Sequence, residues 1–525
     1  MTEVTVREAV LTLLRDLGLT TVFGNPGSTE LPMFRDFPAD FRYVLGLQES
    51  VVVALADGFA QARGDAALVN LHSAIGVGHA LGSIFTAYRN QTPLVITAGQ
   101  QARSILPFEP FLYSEQAPQL PKPYIKWSSE PARAADVPAA IARAYYVAMQ
   151  PPRGPAFVSI PVDDWDRACE PLAARRVSSL VAGDPRLLQE AAAALAWARQ
   201  PIFVVGASVA RDDAWNETIA LAEHYQTAVW VAPMASRTGF PEKHPLFAGF
   251  LPADREGIVQ RLGGADFILV LGAPVFTYHV EGHGPHIPPG ARLVQLTDDP
   301  ASAARSPIGT SIVTSLKHGV ATLLVASAAA PAHGAQRAPP LIPPRAATLS
   351  GDHLTDAYLL QQIAALRPAD SIVVEEAPSS RGALHDHLPI TEQDGFFTCA
   401  SGGLGYGLPA AVGVALAKPG RKVIALLGDG SAMYSIQGLW TATQLRLPVA
   451  FIIAKNGSYR ALEQFGHHFG ISSLPGIGLP QLDFCALAAG HGLRSIKVDR
   501  CDQLDAALRQ AFSAIEPLLL EVSVR

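Results

Sequence analysis

The chain has 525 residues, too many for one hydrophobic core, so several domains are expected. A hydrophobic content of 49% with 16% charged residues describes a well-packed globular enzyme, which excludes a disordered chain. A net charge of −6 gives no electrostatic case for nucleic acid, and no apolar run reaches the roughly 18 residues of a membrane span. The stretch Met1–Glu8 has no apolar core of a signal peptide. Cys169, Cys399, Cys485 and Cys501 show neither zinc spacing nor a disulfide framework, so the cytoplasm is the expected compartment.

In chain order, residues 1–178 alternate strand and helix. Periodicity predicts an amphipathic helix over 6–17, strands at 21–23 and 41–45, and an Ala-rich helix over 50–63. A strand at 66–71, a helix over 76–88 and strands at 93–97 and 155–160 follow. Residues 183–330 repeat the pattern more weakly, with strands at 201–205, 228–232, 267–271 and 292–296. Residues 331–352 are rich in Ala and Pro without periodicity and read as a linker. Residues 353–525 form a third segment, with a strand at 422–427, a helical pattern over 434–445 and a strand at 449–454. The expectation is an α/β chain of three doubly wound parallel-sheet domains, 1–178, 183–330 and 353–525.

The third segment carries the most specific pattern. Gly428-Asp429-Gly430-Ser431 follows one strand and Asn456-Gly457-Ser458 follows the next, which puts Asp429 and Asn456 at the same carboxyl edge of a parallel sheet. Either piece alone is an ordinary turn. Together they supply hard oxygen ligands for Mg²⁺ bound to a phosphate, with Gly428 and Gly430 allowing close backbone approach and the following helix offering N–H groups. In the first segment, Asn25-Pro26-Gly27-Ser28 is a helix-capping turn or a ligand loop. Glu49 is a first-turn helix carboxylate or a buried acid bonded to a ligand nitrogen. His72 ends a strand, as does His279 in the second segment, and each is a structural or a catalytic histidine. The glycine runs 76–82 and 402–407 do not fit a dinucleotide fingerprint.

Phe23–Pro32, Leu47–Glu49, Asn70–Ser73, Gly272–His279, Gly402–Gly405 and Gly428–Ser431 together resemble the benzoylformate decarboxylase family of thiamine-diphosphate 2-oxoacid decarboxylases, over nearly the whole chain. The spacing of Asp429 and Asn456 is that of the cofactor superfamily. Ser28, His72 and His279 narrow it to this branch, since an adjacent His-His pair found in other decarboxylases is missing. The resemblance implies a pyrimidine-binding first domain, a transhydrogenase-like middle domain without a nucleotide, and a diphosphate-binding third domain. It implies thiamine diphosphate and Mg²⁺ as cofactors, a small 2-oxoacid substrate, and active sites between subunits of a homotetrameric dimer of dimers. Glu49 would bond the pyrimidine nitrogen, Gly403 would offer its carbonyl to the exocyclic amine, and Leu404 would support the bent cofactor. Asp429, Asn456 and the Ser458 carbonyl would ligate Mg²⁺. Gly428, Ser431, Ser379, Gly457, Ser458 and Tyr459 would complete the cofactor site. Ser28 would anchor the substrate carboxylate and His72 and His279 would act as acid and base. Thr398, Leu462 and Phe465 would line the pocket with them.

The sequence departs from the family at Lys455, Arg460, the pair Glu463-Gln464, Thr398 and Pro378. The implied reaction is decarboxylation of an aromatic 2-oxoacid to an aldehyde, with a carboligase side activity. The alternative is a carboligase or 2-hydroxyacyl(-CoA) lyase built on the same cofactor.

Overall fold

A computed structural model describes residues 3–327 and 353–525. The predicted linker at 331–352 and the last residues of the second predicted domain, 328–330, lie outside them. The described residues cluster into two compact units, one of 3–177, 353–384 and 398–525, the other of 178–327 and 385–397.

Three six-stranded sheets organise the described residues. The first runs, edge to edge, Arg42–Leu45, Thr21–Gly24, Ala67–Leu71, Leu94–Gln100, Ala156–Pro161 and Trp127–Ser129, all parallel. The sheet of the C-terminal part runs Phe396–Thr398, Ile372–Glu376, Val423–Gly428, Val449–Lys455, Leu518–Ser523 and Arg494–Val498. Counted in chain order, both sheets have the same sequence of strands, second-first-third-fourth-sixth-fifth. The crossover direction therefore reverses beside the first strand of each. Ligands of open parallel sheets bind at such a reversal, outside the carboxyl ends. In the first sheet that edge carries Asn25–Glu30 and His72; in the other it carries Glu376 and Gly428–Ser431.

The middle sheet has a different order, Phe247–Phe250, Ala228–Val231, Pro201–Val205, Phe267–Leu271, Arg292–Thr297 and Thr310–Val313, that is, third-second-first-fourth-fifth-sixth. This is the dinucleotide-fold order. Its one face buries Phe203, Phe240, Phe247 and Phe267, its other Ile268, Val270 and Phe276.

Local chemistry sets the element ends. The first helix, Val6–Asp16, is closed by a capping box between Thr5 and Glu8. Gln48 caps the next helix by accepting from the Ser50 and Val51 N–H groups, so Glu49 is its first residue. That helix, Glu49–Arg63, is buried from Val51 to Ala62. It packs on Gly407–Ala417 with backbones nearly touching: a Cβ on Gly58 would collide with the Ala410 carbonyl, and one on Gly413 with the Leu55 carbonyl. The helix expected over 76–88 spans Ser73–Asn90, with His72 at its N-cap position.

The continuous helix expected over 434–445 is incorrect. A short helix, Asp429–Met433, begins directly at the end of the strand, and a second, Gly438–Leu445, follows a break. Asp429, Gly430 and Ser431 thus sit within the first turn and not ahead of it.

Candidate active site

The Asp429 carboxylate is buried at the end of Val423–Gly428. Its Oδ1 accepts the Gly430 N–H at 2.9 Å, and its Oδ2 accepts the Asn456 and Gly457 N–H groups at 3.1 and 2.7 Å. These bonds join the ends of two neighbouring strands through one side chain. Asn456 Oδ1 accepts the Ser458 N–H at 3.0 Å, which fixes that amide oxygen beside the same turn. Gly457 has φ of +73°, which a side chain would resist. The Tyr459 ring fills the space that a Cβ on Gly430 would need. Ser431, in the same turn, is also buried. The structure therefore brings Asp429, Asn456, Ser458, Gly457, Gly428, Ser431 and Tyr459 to one sheet edge.

Lys455, a departure from the family pattern, points away from this edge. Its Nζ donates to Glu521 Oε1 at 2.8 Å and to the Leu482 carbonyl, while Glu521 Oε2 accepts the Phe484 N–H at 2.7 Å. Arg460 faces Asp356 at 3.5 Å. Leu462 is exposed and Phe465 is half-buried, stacked on His468. Ser379 lies in the short turn Pro378–Ser380 after the strand Ile372–Glu376.

At the reversal point of the first sheet, His72 is held by Glu30, a residue of the Phe23–Pro32 stretch given no role above. His72 Nδ1 lies 2.9 Å from Glu30 Oε2 and 3.2 Å from Thr29 Oγ1. Glu30 is buried; its Oε1 accepts the Thr29 hydroxyl at 2.6 Å and the Gly99 N–H at 2.9 Å, and its Oε2 accepts the Gly27 N–H at 3.0 Å. An ionised carboxylate only accepts, so the proton in this contact sits on Nδ1 and Nε2 is the ring's free-facing nitrogen. The signal in the sequence was an acid buried among apolar residues two positions beyond Ser28. Ser28 itself is exposed on the same loop.

Glu49 is 9% exposed at the first turn of its helix, and the imidazole of His79 reaches it, Nδ1 to Oε2 at 3.1 Å. Gly76 lies alongside it, since a Cβ there would sit in contact with the Glu49 side chain and the His72 Cβ. In the sequence, His79 is hidden within a run whose evident feature is its glycines.

The glycine loop before Gly407–Ala417 is held by two adjacent acids at the end of Ile372–Glu376. Glu376 Oε1 and Oε2 accept the Gly405 and Gly407 N–H groups, each at 2.6 Å. Burial pushes its carboxyl up to about 8, with those N–H groups pulling the other way and Glu375 pushing further up. Burial alone would also raise Glu375, but the Arg381 guanidinium at 2.8 Å, the Ala377 N–H and the Thr398 hydroxyl hold it below the usual carboxylate range. Thr398 is thereby engaged: it is buried, donates to Glu375 Oε2 at 2.8 Å and accepts from Arg381 at 3.1 Å. The loop leaves the Gly403 backbone exposed and Leu404 half-buried.

His279 lies in the other unit, exposed after the strand Phe267–Leu271, its N–H donating to the Ala253 carbonyl at 2.8 Å.

Three family descriptions match this arrangement in order: thiamine pyrophosphate enzyme N-terminal TPP binding domain over 4–119, central domain over 188–323, and C-terminal TPP binding domain over 378–522. Benzoylformate decarboxylase of Pseudomonas aeruginosa is 46% identical over 524 residues, 99% of this chain and 98% of that one. The chain belongs to the benzoylformate decarboxylase family of thiamine-diphosphate enzymes. Among solved structures, the thiamine diphosphate-dependent 4-hydroxybenzoylformate decarboxylase of Rhodococcus jostii RHA1 is 43% identical with a TM-score of 0.96, covering 99% of both chains. Benzoylformate decarboxylase from Polynucleobacter necessarius is 40% identical with a TM-score of 0.95, covering 99% of this chain and 98% of that one. The family's cofactor, thiamine diphosphate with Mg²⁺, fits the residues present. Asp429 and Asn456 offer oxygen donors of the type Mg²⁺ takes, held by backbone bonds, beside glycines that leave room for a diphosphate.

Proposed function

We propose that this chain decarboxylates an aromatic 2-oxoacid of the benzoylformate type to an aldehyde and CO₂, using thiamine diphosphate and Mg²⁺. The observation that carries the reading is the Asp429–Asn456 pair at a sheet edge of a chain matched over its whole length by benzoylformate decarboxylases. Thiamine diphosphate, when bound, supplies the electron sink for the pair left behind as CO₂ departs.

The residues divide the remaining work. Asp429, Asn456 and the Ser458 carbonyl hold Mg²⁺, and Gly428, Ser431 and Ser379 hold the diphosphate, with Gly457 and Tyr459 shaping that turn. Glu49 would hold a proton facing the cofactor's pyrimidine nitrogen, and the Gly403 carbonyl and Leu404 would face its rings. Ser28 binds the substrate carboxylate. His72, with its Nδ1 directed to Glu30, presents Nε2 as an acid or base, and His279 is the second proton carrier. Leu462 and Phe465 give apolar lining. Thr398 acts indirectly, through the Glu375–Arg381 pair.

We place the site between subunits of a dimer, paired into a tetramer. Exposed apolar side chains support this: Phe111 (87%), Phe108 (78%), Leu31 (60%) and Tyr434 (58%) are the kind of surface a subunit interface covers. Among the described residues no helix is long and apolar enough to cross a membrane, and all four cysteines are free, which suits the reducing cytoplasm. The three segments 1–178, 183–330 and 353–525 are read as the pyrimidine, middle and diphosphate domains.

The test is a panel of 2-oxoacids with Mg²⁺ and thiamine diphosphate, with and without an acceptor aldehyde. Benzaldehyde and CO₂ from benzoylformate are expected, with 2-hydroxyketone appearing when acceptor is added. No CO₂ from any aromatic 2-oxoacid, together with cleavage of a 2-hydroxyketone or 2-hydroxyacyl-CoA, would replace the decarboxylase with the lyase reading.

A further inference from the structure

We infer that Glu376 is a positioning residue for the ring half of the cofactor. Its carboxyl sits at the carboxyl end of Ile372–Glu376, fully inside the protein. It grips the loop between Gly402 and Gly407 at two points, the Gly405 and Gly407 N–H groups at 2.6 Å each. Elsewhere the loop is tied more lightly: Gly402 and Gly405 have φ of +74° and +103°, the Gly403 N–H donates to Ser401 Oγ at 3.0 Å, and the Gly403 carbonyl accepts from the Cys399 thiol at 3.4 Å. An ordinary helix cap would satisfy N–H groups of the first turn alone. Glu376 instead reaches back to Gly405, one residue after Leu404, so it fixes the segment that presents the Gly403 carbonyl and the Leu404 side chain. Its own place is fixed from the other side. Gly407 packs on its Cβ so closely that a Cβ there would clash, and Glu375, its neighbour along the strand, is locked by Arg381 and Thr398.

The Glu376 carboxyl bonds to the 405–407 loop and not to Asn456 or to Asp429, which follows the neighbouring strand. The cofactor has two ends, and Glu376 governs only the end that Gly403 and Leu404 meet. This rests on the assignment of Gly403 and Leu404 proposed above.

The experiment measures two affinities by calorimetry on the full chain with Mg²⁺ present, for thiamine diphosphate and for inorganic diphosphate. Parent, Glu376→Gln and Glu376→Asp are compared, with kcat and KM measured in parallel. Glu376→Gln keeps the size but turns an NH₂ group toward one of the two N–H donors. It is expected to weaken thiamine diphosphate binding about 10-fold or more, as for a buried backbone N–H left unpaired, while inorganic diphosphate binding stays within about twofold. Glu376→Asp, a carboxyl withdrawn by one methylene, is expected to show a smaller loss of the same kind. An unchanged thiamine diphosphate affinity overturns the inference, and so does an equal loss of both affinities, which would assign Glu376 to fold maintenance alone. Failure of both variants to fold overturns it in the same way. A parent that binds neither ligand would instead sink the cofactor assignment itself.

Discussion

Glu30→Gln is the sharpest perturbation of the catalytic side. In the parent, one buried carboxylate accepts from Gly27 N–H, Gly99 N–H, the Thr29 hydroxyl and His72 Nδ1, all between 2.6 and 3.0 Å. Glutamine is nearly isosteric but has one oxygen, so one pair of these donors meets an NH₂ group. If the oxygen stays with the backbone, His72 loses the acceptor that sets its tautomer. A charged hydrogen bond lost at a buried site costs about 1.5–3 kcal/mol, which converts to about a 10- to 150-fold fall in kcat/KM. The assay is benzaldehyde formation from benzoylformate at saturating thiamine diphosphate and Mg²⁺, run as a double-mutant cycle with His72→Ala. If Glu30 acts through His72, adding Glu30→Gln to His72→Ala should change the rate by no more than about threefold. A fall of the full size in the His72→Ala background would refute the coupling, and so would a Glu30→Gln enzyme as fast as the parent.

Four further outcomes are expected. Glu49→Ala should lower kcat by about 10²- to 10⁴-fold with an unchanged melting temperature, and activity near the parent's would remove its proton-exchange role. Asp429→Ala should raise the Mg²⁺ concentration for half-maximal activity by more than about 100-fold; a titration matching the parent's would mean the turn holds no metal. Lys455→Met leaves the Glu521 carboxylate buried without its cation and should cost about 3–5 kcal/mol in denaturant unfolding, against less than 1 kcal/mol if the pair is dispensable. Glu376, held up at about 8 by burial against an ordinary value of 4.5, binds its proton more tightly folded than unfolded. Its stabilising contribution is therefore complete below about pH 4.5 and is lost as pH rises through about 8. The stability difference between parent and Glu376→Gln should narrow or reverse over that window, and a pH-independent difference would show that Glu376 does not titrate there.

The parts of the fold legible in the sequence were those with a one-dimensional signature. Pro201–Val205 and Phe267–Leu271 are unbroken apolar runs between polar flanks, and the structure gives them the same limits. Trp127–Ser129, Phe247–Phe250 and Thr310–Val313 escaped because they are edge or near-edge strands of three or four residues, partly exposed and with mixed polarity. The break between Met433 and Gly438 was invisible because the residues across it still alternate at helical spacing. At the site, Asp429 and Asn456 could be read from their strands and turns, and the structure joins them directly. Glu30, His79 and Glu376 could not. Each acts through a partner distant in sequence, His72, Glu49 or the 405–407 loop, and such pairings exist only once the chain has folded. Thr398 shows the converse: a position suggestive in sequence whose hydroxyl is consumed by a buried acid and its arginine.

The crossing of Glu49–Arg63 with Gly407–Ala417 sets a limit on how this enzyme can change. Because Gly58 and Gly413 let the two backbones meet without intervening side chains, neither helix can be re-spaced by repacking. One begins at Glu49 and the other follows the Gly403–Leu404 loop, so a shift of either helix moves the segment at the start of the other. Laboratory evolution of new substrate ranges should then accumulate at positions that hang free of this crossing, such as Ser28, Leu462 and Phe465, and should leave residues 55–58 and 410–413 untouched.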